Sequence, residues 1–420
     1  MKALLVSQSI QGGAGRASFR LHEGLRKEGI DSCLFVQSNS TTFDNVVSQS
    51  KVLDKLSAKL KLREHLDKIP LAFYPNRDQT RPFSLQWVPN SLYSKIKFLH
   101  PDIINLHWIG HGFLPIESFG KLKAPIVWTL HDMWAFTGGC HYTGGCERYT
   151  NYCGSCPQLN SGRENDLARL IWQRKATAWK PLNITLVSPS SWLADCARNS
   201  PLFRNSHIEI IPNGLNTQVY KPLDSSFARN ALNLPQDRKL LLFGSMLGTN
   251  DLRKGFHLLE PALKKLSDTE WNNRLDLVVF GGTKSQVMNE MGFNVHALGH
   301  LGDESSLALA YSAVDAFVAP STEDNFPNTV LEALACGTPC IGFSIGGIPE
   351  LIDHQKTGYL CKPFDIEDLL KGILWVLEGD DRNRLLGKMS REKVEAEFSD
   401  SRQASRYSDL FSRVLKLKNP

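Results

Sequence analysis

A chain of 420 residues exceeds one ordinary domain, and about 150 residues per domain gives two or three. Apolar residues make up 42% and charged residues 22%, which excludes disorder as the main state, and no apolar run approaches the ~18 residues of a membrane-spanning helix. The net charge of +5 divides into +9 over residues 1–210 and −4 over 211–420, so the halves are expected to meet different partners; the basic excess is too small for a nucleic-acid binder and no recognised motif accompanies it.

The first residues form a short apolar run that turns polar at Ser7. They read as a strand and not as a secretory signal, so a cytoplasmic location is expected. Ala3–Ser7 is the first predicted strand, Gln11–Arg16 a glycine-rich turn, Ala17–Glu28 a helix with Phe19, Leu21 and Leu25 on its apolar face, and Ser32–Gln37 the next strand. Such a βαβ unit predicts a parallel sheet covered by helices. Over 51–69, Val52, Leu53, Leu56, Leu60 and Leu66 alternate with Lys51, Lys55, Lys59, Lys61, Arg63 and Lys68. That helix suits either an anionic lipid surface or a core position with a basic outer face. Further strands are expected at Ile103–Leu106, Ile126–Leu130, Ile184–Pro189 and Ile208–Ile211. Pro212–Pro235, rich in Pro, Asn and Asp, reads as a linker. Strands then follow at Leu240–Gly244, Leu275–Phe280, Val295–Leu298, Ala316–Ala319, Pro339–Phe343 and Tyr359–Cys361, with helices near 256–266, 303–313, 328–336 and 365–377.

The expected architecture is α/β: two Rossmann-like, doubly wound domains facing a cleft. The first covers 1–211 and the second 236–400, and a helix over 401–420 packs back toward the first. Ligands of such sheets bind outside the carboxyl ends of the strands, so the loops there hold the candidate residues.

In Pro320–Leu334, Pro327 suits the first turn of a helix. The backbone N–H groups of Asn328, Thr329 and Val330 would form an anion site, and Glu332 could accept two hydroxyls, as from a ribose. The alternative is an ordinary capped helix with surface acids. Arg253-Lys254-Gly255 suits a diphosphate or forms a solvated basic turn. Gly12-Gly13-Ala14-Gly15-Arg16 lets a ligand approach the backbone, with a spacing that fits neither the dinucleotide fingerprint nor a P-loop. His131 and Asp132 follow a strand, either as site residues or as structural ones. Cys140, Cys146, Cys153 and Cys156 can supply four tetrahedral zinc ligands. Free thiols and redox disulfides are the other readings, and no open three-ligand set suggests a catalytic metal. The remaining five of the nine cysteines read as small buried hydrophobes.

Together these motifs resemble the retaining glycosyltransferases of family 4, which have the GT-B fold, over nearly the whole chain. Asp324 and Glu332, eight apart, resemble the acidic-x7-Glu motif, with Asp where the family more often has Glu. Ile211–Asn216 resembles the interdomain turn. Leu298-Gly299-His300-Leu301, with Tyr311 and Asp315, resembles the base-binding loop and its helix. Gly337-Thr338-Pro339 and Gly346–Glu350 resemble the next two segments, and Lys254 falls on the phosphate-binding lysine. Ser245 stands where the family usually has an arginine. The resemblance implies a UDP- or GDP-sugar donor held by Gly13, Gly15, Arg16, Arg253, Lys254, His300, Leu301, Asn325, Phe326, Asn328, Thr329, Val330 and Glu332. His131, Asp324 and Glu332 are the implied catalytic residues, His131 and Asp324 orienting the sugar. It also implies a metal-independent reaction with retention of configuration, by a front-face mechanism. The Trp128–Trp134 and cysteine segment resembles bacterial enzymes of exopolysaccharide or lipopolysaccharide assembly, whose acceptors are glycans or lipid-linked glycans. A basic first half suits such acceptors and peripheral contact with an anionic membrane; Phe73, Tyr74, Phe83 and Trp87 either line an acceptor groove or pack. A sugar-nucleotide epimerase of the same fold and a non-catalytic nucleotide-sugar-binding protein are the alternatives.

Overall fold

The structure, a computed structural model, describes residues 1–39, 43–51, 55–90, 92–244, 251–281 and 292–418. Val52, Leu53 and Ser245 lie outside these. The chain divides into two compact units, Met1–Gly214 with Ser401–Pro420, and Leu215–Asp400.

In chain order the first unit contains β1 (Lys2–Val6), α1 (Gly12–Lys27), β2 (Asp31–Asn39), β3 (Val46–Lys51), α2 (Lys55–Lys68), α3 (Leu92–Phe98), β4 (Ile103–Leu106), β5 (Ile126–Thr129), α4 (Leu167–Trp179), β6 (Ile184–Ser188), α5 (Ser191–Asn199) and β7 (Ile208–Ile210). Its seven strands run parallel in the order β3-β2-β1-β4-β5-β6-β7. Both faces of the sheet are buried. Along β1, Leu4 and Val6 enter one core with Trp128, Trp134 and Phe119, while Ala3 and Leu5 enter the other. That alternation is the period of two of a strand covered on both sides.

The second unit contains α6 (Ser225–Ala231), β8 (Lys239–Gly244), α7 (Phe256–Ser267), β9 (Leu275–Phe280), β10 (Val295–Ala297), α8 (Glu304–Ser312), β11 (Ala316–Ala319), α9 (Asn328–Ala335), β12 (Cys340–Phe343), α10 (Ile348–Leu351), β13 (Gly358–Cys361), α11 (Ile366–Leu377) and α12 (Asp380–Glu397). Its six strands, also parallel, run β10-β9-β8-β11-β12-β13. The last helix, α13 (Asp400–Lys418), places Ala404, Tyr407, Leu410 and Phe411 in the first unit's second core.

Three segments differ from their sequence reading. The glycine stretch read as a turn is the first turn of α1, which begins at Gly12. Gly12 sits at φ +75°, a left-handed conformation that favours glycine, and a Cβ on Gly15 would lie 2.6 Å from the backbone of Ser9 and Ile10, so the first serves the turn and the second a close backbone contact. Within Pro212–Pro235, Asp224 accepts from the Phe227 N–H and caps α6, and Tyr220 and Ala228 lie in the second unit's core. In α2, Arg63 turns inward to the carbonyl oxygens of Val88 (2.7 Å) and Gly112 (3.0 Å), while Asp67 is buried and accepts from the N–H groups of Gln86 and Trp87. In the part of this helix whose side chains are described, 62–68, a cation and a carboxylate therefore turn inward, which the leucine spacing did not indicate.

Phe411→Ala removes a fully buried ring from the core between α13 and the first sheet. It is expected to cost the first unit about 3–5 kcal/mol, seen in denaturant unfolding as an earlier transition for that unit alone.

Candidate functional site

In the second sheet the strand order reverses between β8 and β11, which pair with each other. Such a switch point leaves a crevice at the carboxyl ends of the strands. The segment 251–255 after β8 and the segment 320–327 after β11 meet there. Thr322 N–H donates to the Arg253 carbonyl at 2.8 Å. Gly255, at φ +73°, passes so close to Pro320 that a Cβ would sit 1.7 Å from its carbonyl oxygen. Asp251 caps the intervening turn by accepting from Arg253 N–H.

This close approach brings three predicted residues together. Lys254 Nζ stands 2.7 Å from Asp324 Oδ2, and Arg253 Nη1 stands 3.2 Å from the same oxygen. Arg253 also donates to the Glu323 carbonyl and pairs with Asp251. Burial alone would raise the Asp324 pKa, but the charges and hydrogen bonds of Lys254 and Arg253 outweigh it and hold the carboxyl below its usual range. The backbone of Asp324 is fixed from the other side: Gly347 N–H donates to its carbonyl at 3.1 Å, and a Cβ on Gly346 (φ +55°) would lie 1.9 Å from that oxygen.

Glu332 is buried one turn into α9, where Tyr311 Oη donates to its Oε2 at 3.2 Å. Tyr311 is in turn held through its carbonyl by Thr338 Oγ1 at 2.8 Å. Asp315 plays a different part, accepting from Arg229, Lys239 and the Leu240 N–H, an ion-pair hub that ties β11 to β8. At the start of α9 the Val330 N–H donates to the Pro327 carbonyl at 3.1 Å. The last of the three N–H groups expected to form an anion site is thus engaged within the helix. Asn325 is buried, and Phe326 is buried against Phe398 with 5.6 Å between centroids. His300 is exposed and Leu301 half-buried in the loop after β10.

The first sheet has its own switch point, between β1 and β4. Gln8 N–H donates to the Trp108 carbonyl at 2.8 Å, joining the two loops there. Gly13 and Arg16 lie in the first turn of α1, Gly15 beside them. After β4 and β5 come His107 and His131, whose rings meet edge to edge with centroids 5.2 Å apart and planes 25° from parallel. His107 Nδ1 and His131 Nε2 are 2.9 Å apart, and His107 Nε2 is 2.9 Å from Asn105 Oδ1. Burial lowers the pKa of both rings, that of His131 to about 4 despite the neighbouring Asp132 carboxylate. Asp132 accepts from His141 Nδ1 and Trp108 Nε1, each at 2.7 Å, and from Trp134 N–H at 2.8 Å. Burial opposes its ionisation, but these partners, His141 foremost, keep its pKa lowered. Asn105, His107 and His141 were not singled out from the sequence. The available signal was Asn105 itself, a polar residue inside the apolar run Ile103–Leu106.

Cys140, Cys146, Cys153 and Cys156 all line one cavity of about 20 Å³, together with Phe83, Tyr149 and Ala168. They are free thiols. Among the described residues no three His, Cys, Asp or Glu side chains are grouped so as to hold a metal ion. Trp87 lines a separate, largely apolar cavity of about 600 Å³ with Leu85, Leu170 and Ile171. Phe73 and Tyr74 line a second of about 400 Å³, and Pro70, Leu167 and Leu170 border both. No described helix is long and apolar enough to cross a membrane.

Residues 11–219 match the family described as Glycosyltransferase Family 4, and residues 224–393 match Glycosyl transferases group 1. The chain is 27% identical over 219 residues to N-acetyl-alpha-D-glucosaminyl L-malate synthase of Bacillus anthracis, covering 50% of this chain and 55% of that protein. It is 28% identical over 289 residues to WcaC of Escherichia coli (strain K12), a glycosyl transferase named for colanic acid biosynthesis, covering 64% and 66%. The matched segments thus span between half and two-thirds of these relatives. The fold is similar to that of HepE of Anabaena in complex with UDP, with a TM-score of 0.65 at 16% identity, covering 98% of this chain and 100% of that one.

Asp324→Asn leaves Lys254 and Arg253 without their shared carboxylate. The expected loss at pH 7 is about 3 kcal/mol, the lower end for breaking a buried pair because both cations keep some exposure. The folded pKa of Asp324 is depressed, so its contribution is present above the unfolded value and lost as pH falls through the folded one. Denaturant midpoints of wild type and variant are therefore expected to converge below about pH 4.

Proposed function

The chain belongs to glycosyltransferase family 4, with the GT-B fold, and from that premise we propose that it moves a sugar from a nucleotide-sugar donor to a glycan or lipid-linked glycan in cell-surface polysaccharide synthesis. The observation that carries this reading is the meeting of Lys254, Arg253 and Asp324 at the switch point of the second sheet, beside the N-terminus of α9. Two cations and a helix dipole there suit a diphosphate, and they would stabilise the charge that develops on it as it departs. Glu332, already oriented by Tyr311, suits a ribose. Asp324 is proposed to orient the transferred sugar, and His131 to contact a substrate hydroxyl. UDP is favoured over GDP as the donor nucleotide by the similarity to UDP-bound HepE.

Retention of configuration is part of the proposal. In this reading the leaving-group oxygen assists the acceptor on the same face of the sugar. The charge supplied by Lys254 and Arg253 makes a divalent ion unnecessary. The first half's excess positive charge and the apolar cavity beside Trp87 suit a lipid-linked acceptor and a peripheral position on the inner membrane face. A structural zinc on Cys140, Cys146, Cys153 and Cys156 also belongs to the proposal. The shared cavity supports it, and binding would require the four sulfurs to close on that cavity.

Thermal shift without added metal, against UDP, GDP, ADP, dTDP and their common sugars, tests the donor site. A ligand at 100 times its Kd is expected to add about 2.7 kcal/mol. The shift should be selective for one nucleotide and weakened in Lys254→Ala and Glu332→Ala, each measured against its own unliganded melting point. No shift from any nucleotide would overturn the donor site. Product NMR should then show the donor's anomeric configuration; an inverted anomer would sink the front-face mechanism.

Metal analysis of purified protein is expected to give about one zinc per chain, in line with a four-ligand site, and its loss in Cys153→Ser/Cys156→Ser. Zinc-free wild type would remove the zinc from the proposal.

A further inference from the structure

We infer that Asn105 and His107 are positioning residues that fix the ring proton of His131 on Nε2, so that His131 meets substrate through Nδ1 as a hydrogen-bond acceptor. The substrate-facing part rests on the proposed function; the proton placement follows from hydrogen bonds alone.

The chain of assignments begins at a backbone carbonyl. Asn105 lies opposite Val127 in the register of β4 and β5. One end of its amide stands 3.1 Å from the Val127 carbonyl oxygen and 3.0 Å from Thr129 Oγ1. A carbonyl only accepts, so that end is the NH2, and the amide cannot be flipped without setting oxygen against oxygen. The other end, Oδ1, therefore faces His107 Nε2 at 2.9 Å. Oδ1 only accepts, so His107 carries its proton on Nε2.

His107 is buried, and burial keeps it neutral. A neutral ring with Nε2 protonated has its lone pair on Nδ1. That lone pair faces His131 Nε2 at 2.9 Å, so His131 must donate from Nε2. His131 is itself kept neutral by burial, and its own lone pair is then on Nδ1. Titratable groups beside it include Asp132 on the same loop, His107 just after β4, His141, which reaches Asp132 from the cysteine loop, and Tyr142, whose Oη lies 3.5 Å from the His131 carbonyl oxygen. The relay has a firm base. Thr129 Oγ1 shares a 2.8 Å hydrogen bond with Tyr407 Oη of α13, which holds the oxygen that Asn105 donates to.

The consequence is chemical. An Nδ1 lone pair accepts from a hydroxyl and gains nothing from fluorine or a carbonyl. His131 would thus select a substrate that offers a hydroxyl, and replacing that hydroxyl by fluorine should cost as much as removing it.

The direct test needs no substrate. Long-range ¹⁵N–¹H NMR of the full chain at neutral pH, with His131→Gln for assignment, should show His131 as the Nε2–H form. A His131 resonance in the Nδ1–H form, or a doubly protonated ring, overturns the inference. In Asn105→Asp, Thr129 Oγ1 can turn to donate to the new carboxylate while accepting from Tyr407 Oη; the carboxylate is then expected to draw a second proton onto His107, which donates from Nδ1 and turns His131 into the Nδ1–H form. His107→Gln, whose amide oxygen can still accept, should retain the Nε2–H form. With whichever nucleotide-sugar stabilises the wild type, kcat/KM for Asn105→Asp should fall at least tenfold at neutral pH and for His107→Gln much less. An unchanged kcat/KM in Asn105→Asp, with the tautomer switched, would overturn the positioning role. If the tautomers follow expectation while no nucleotide-sugar binds, the proton placement stands and the proposed function fails separately.

Discussion

Both sheets are parallel and buried on both faces, and this constraint decides where chemistry can occur. A strand such as β8 sends Leu240 and Leu242 into one core and Leu241 and Phe243 into the other, so it has no face left for a polar group. Within the strands a polar side chain such as Asn105 is accommodated only with its hydrogen bonds met, and most polar groups gather at the strand ends, where the backbone leaves the sheet. The switch points open a crevice there, between β8 and β11 in the second unit and between β1 and β4 in the first. Glycines at Gly15 and Gly255 let neighbouring loops close on these points to distances that a Cβ would forbid.

The two units solve the problem of buried polarity differently. The second uses charge: the Asp324 carboxylate faces two cations, Lys254 and Arg253, and Arg253 also pairs with Asp251, so each member has a partner. An anion bound there, as proposed for the donor diphosphate, would meet cations already held in place and would not need to order them first. The first unit uses neutral groups. His107 and His131 lie close enough, with 2.9 Å between facing nitrogens, that charging both would be costly, and they share a proton arrangement set by Asn105. A charged cluster suits a phosphate; a neutral acceptor suits a hydroxyl.

Much of this was legible in the sequence because it is local. Ile103–Leu106, Leu275–Phe280 and Ala316–Ala319 are strands to the residue, since each is a short, largely apolar run with a polar residue before it and a polar residue, glycine or proline after it. The spacing of Asp324 and Glu332 marked one loop and one helix as a unit. The rest depends on contacts distant in sequence. The pairing of Lys254 with Asp324 spans 70 residues, and that of Thr129 with Tyr407 spans 278. Helix α4 went unread because the cysteine-rich stretch before it hides its cap, Asp166, which accepts from Arg169 N–H. The start of α1 was misplaced because glycine has a low helix propensity, which here yields to the close packing of Gly15 on Ser9 and Ile10.

The cysteine loop acquires a role from the same kind of distant contact. His141 follows Cys140 directly. Its Nδ1 lies 2.7 Å from Asp132 Oδ2 and its Nε2 lies 2.8 Å from Ser84 Oγ. The order serine, histidine, aspartate is that of a hydrolytic triad, but Ser84 is 1% exposed and its oxygen also accepts from the His111 N–H at 3.3 Å. A nucleophile must reach its substrate, and this hydroxyl is enclosed. The arrangement is better understood as a brace. Ser84 orients His141, His141 holds Asp132 ionised, and Asp132 fixes Trp108 and the turn that follows His131. Whatever organises the four thiols beside His141 therefore acts, through one imidazole, on the strand end that carries His131.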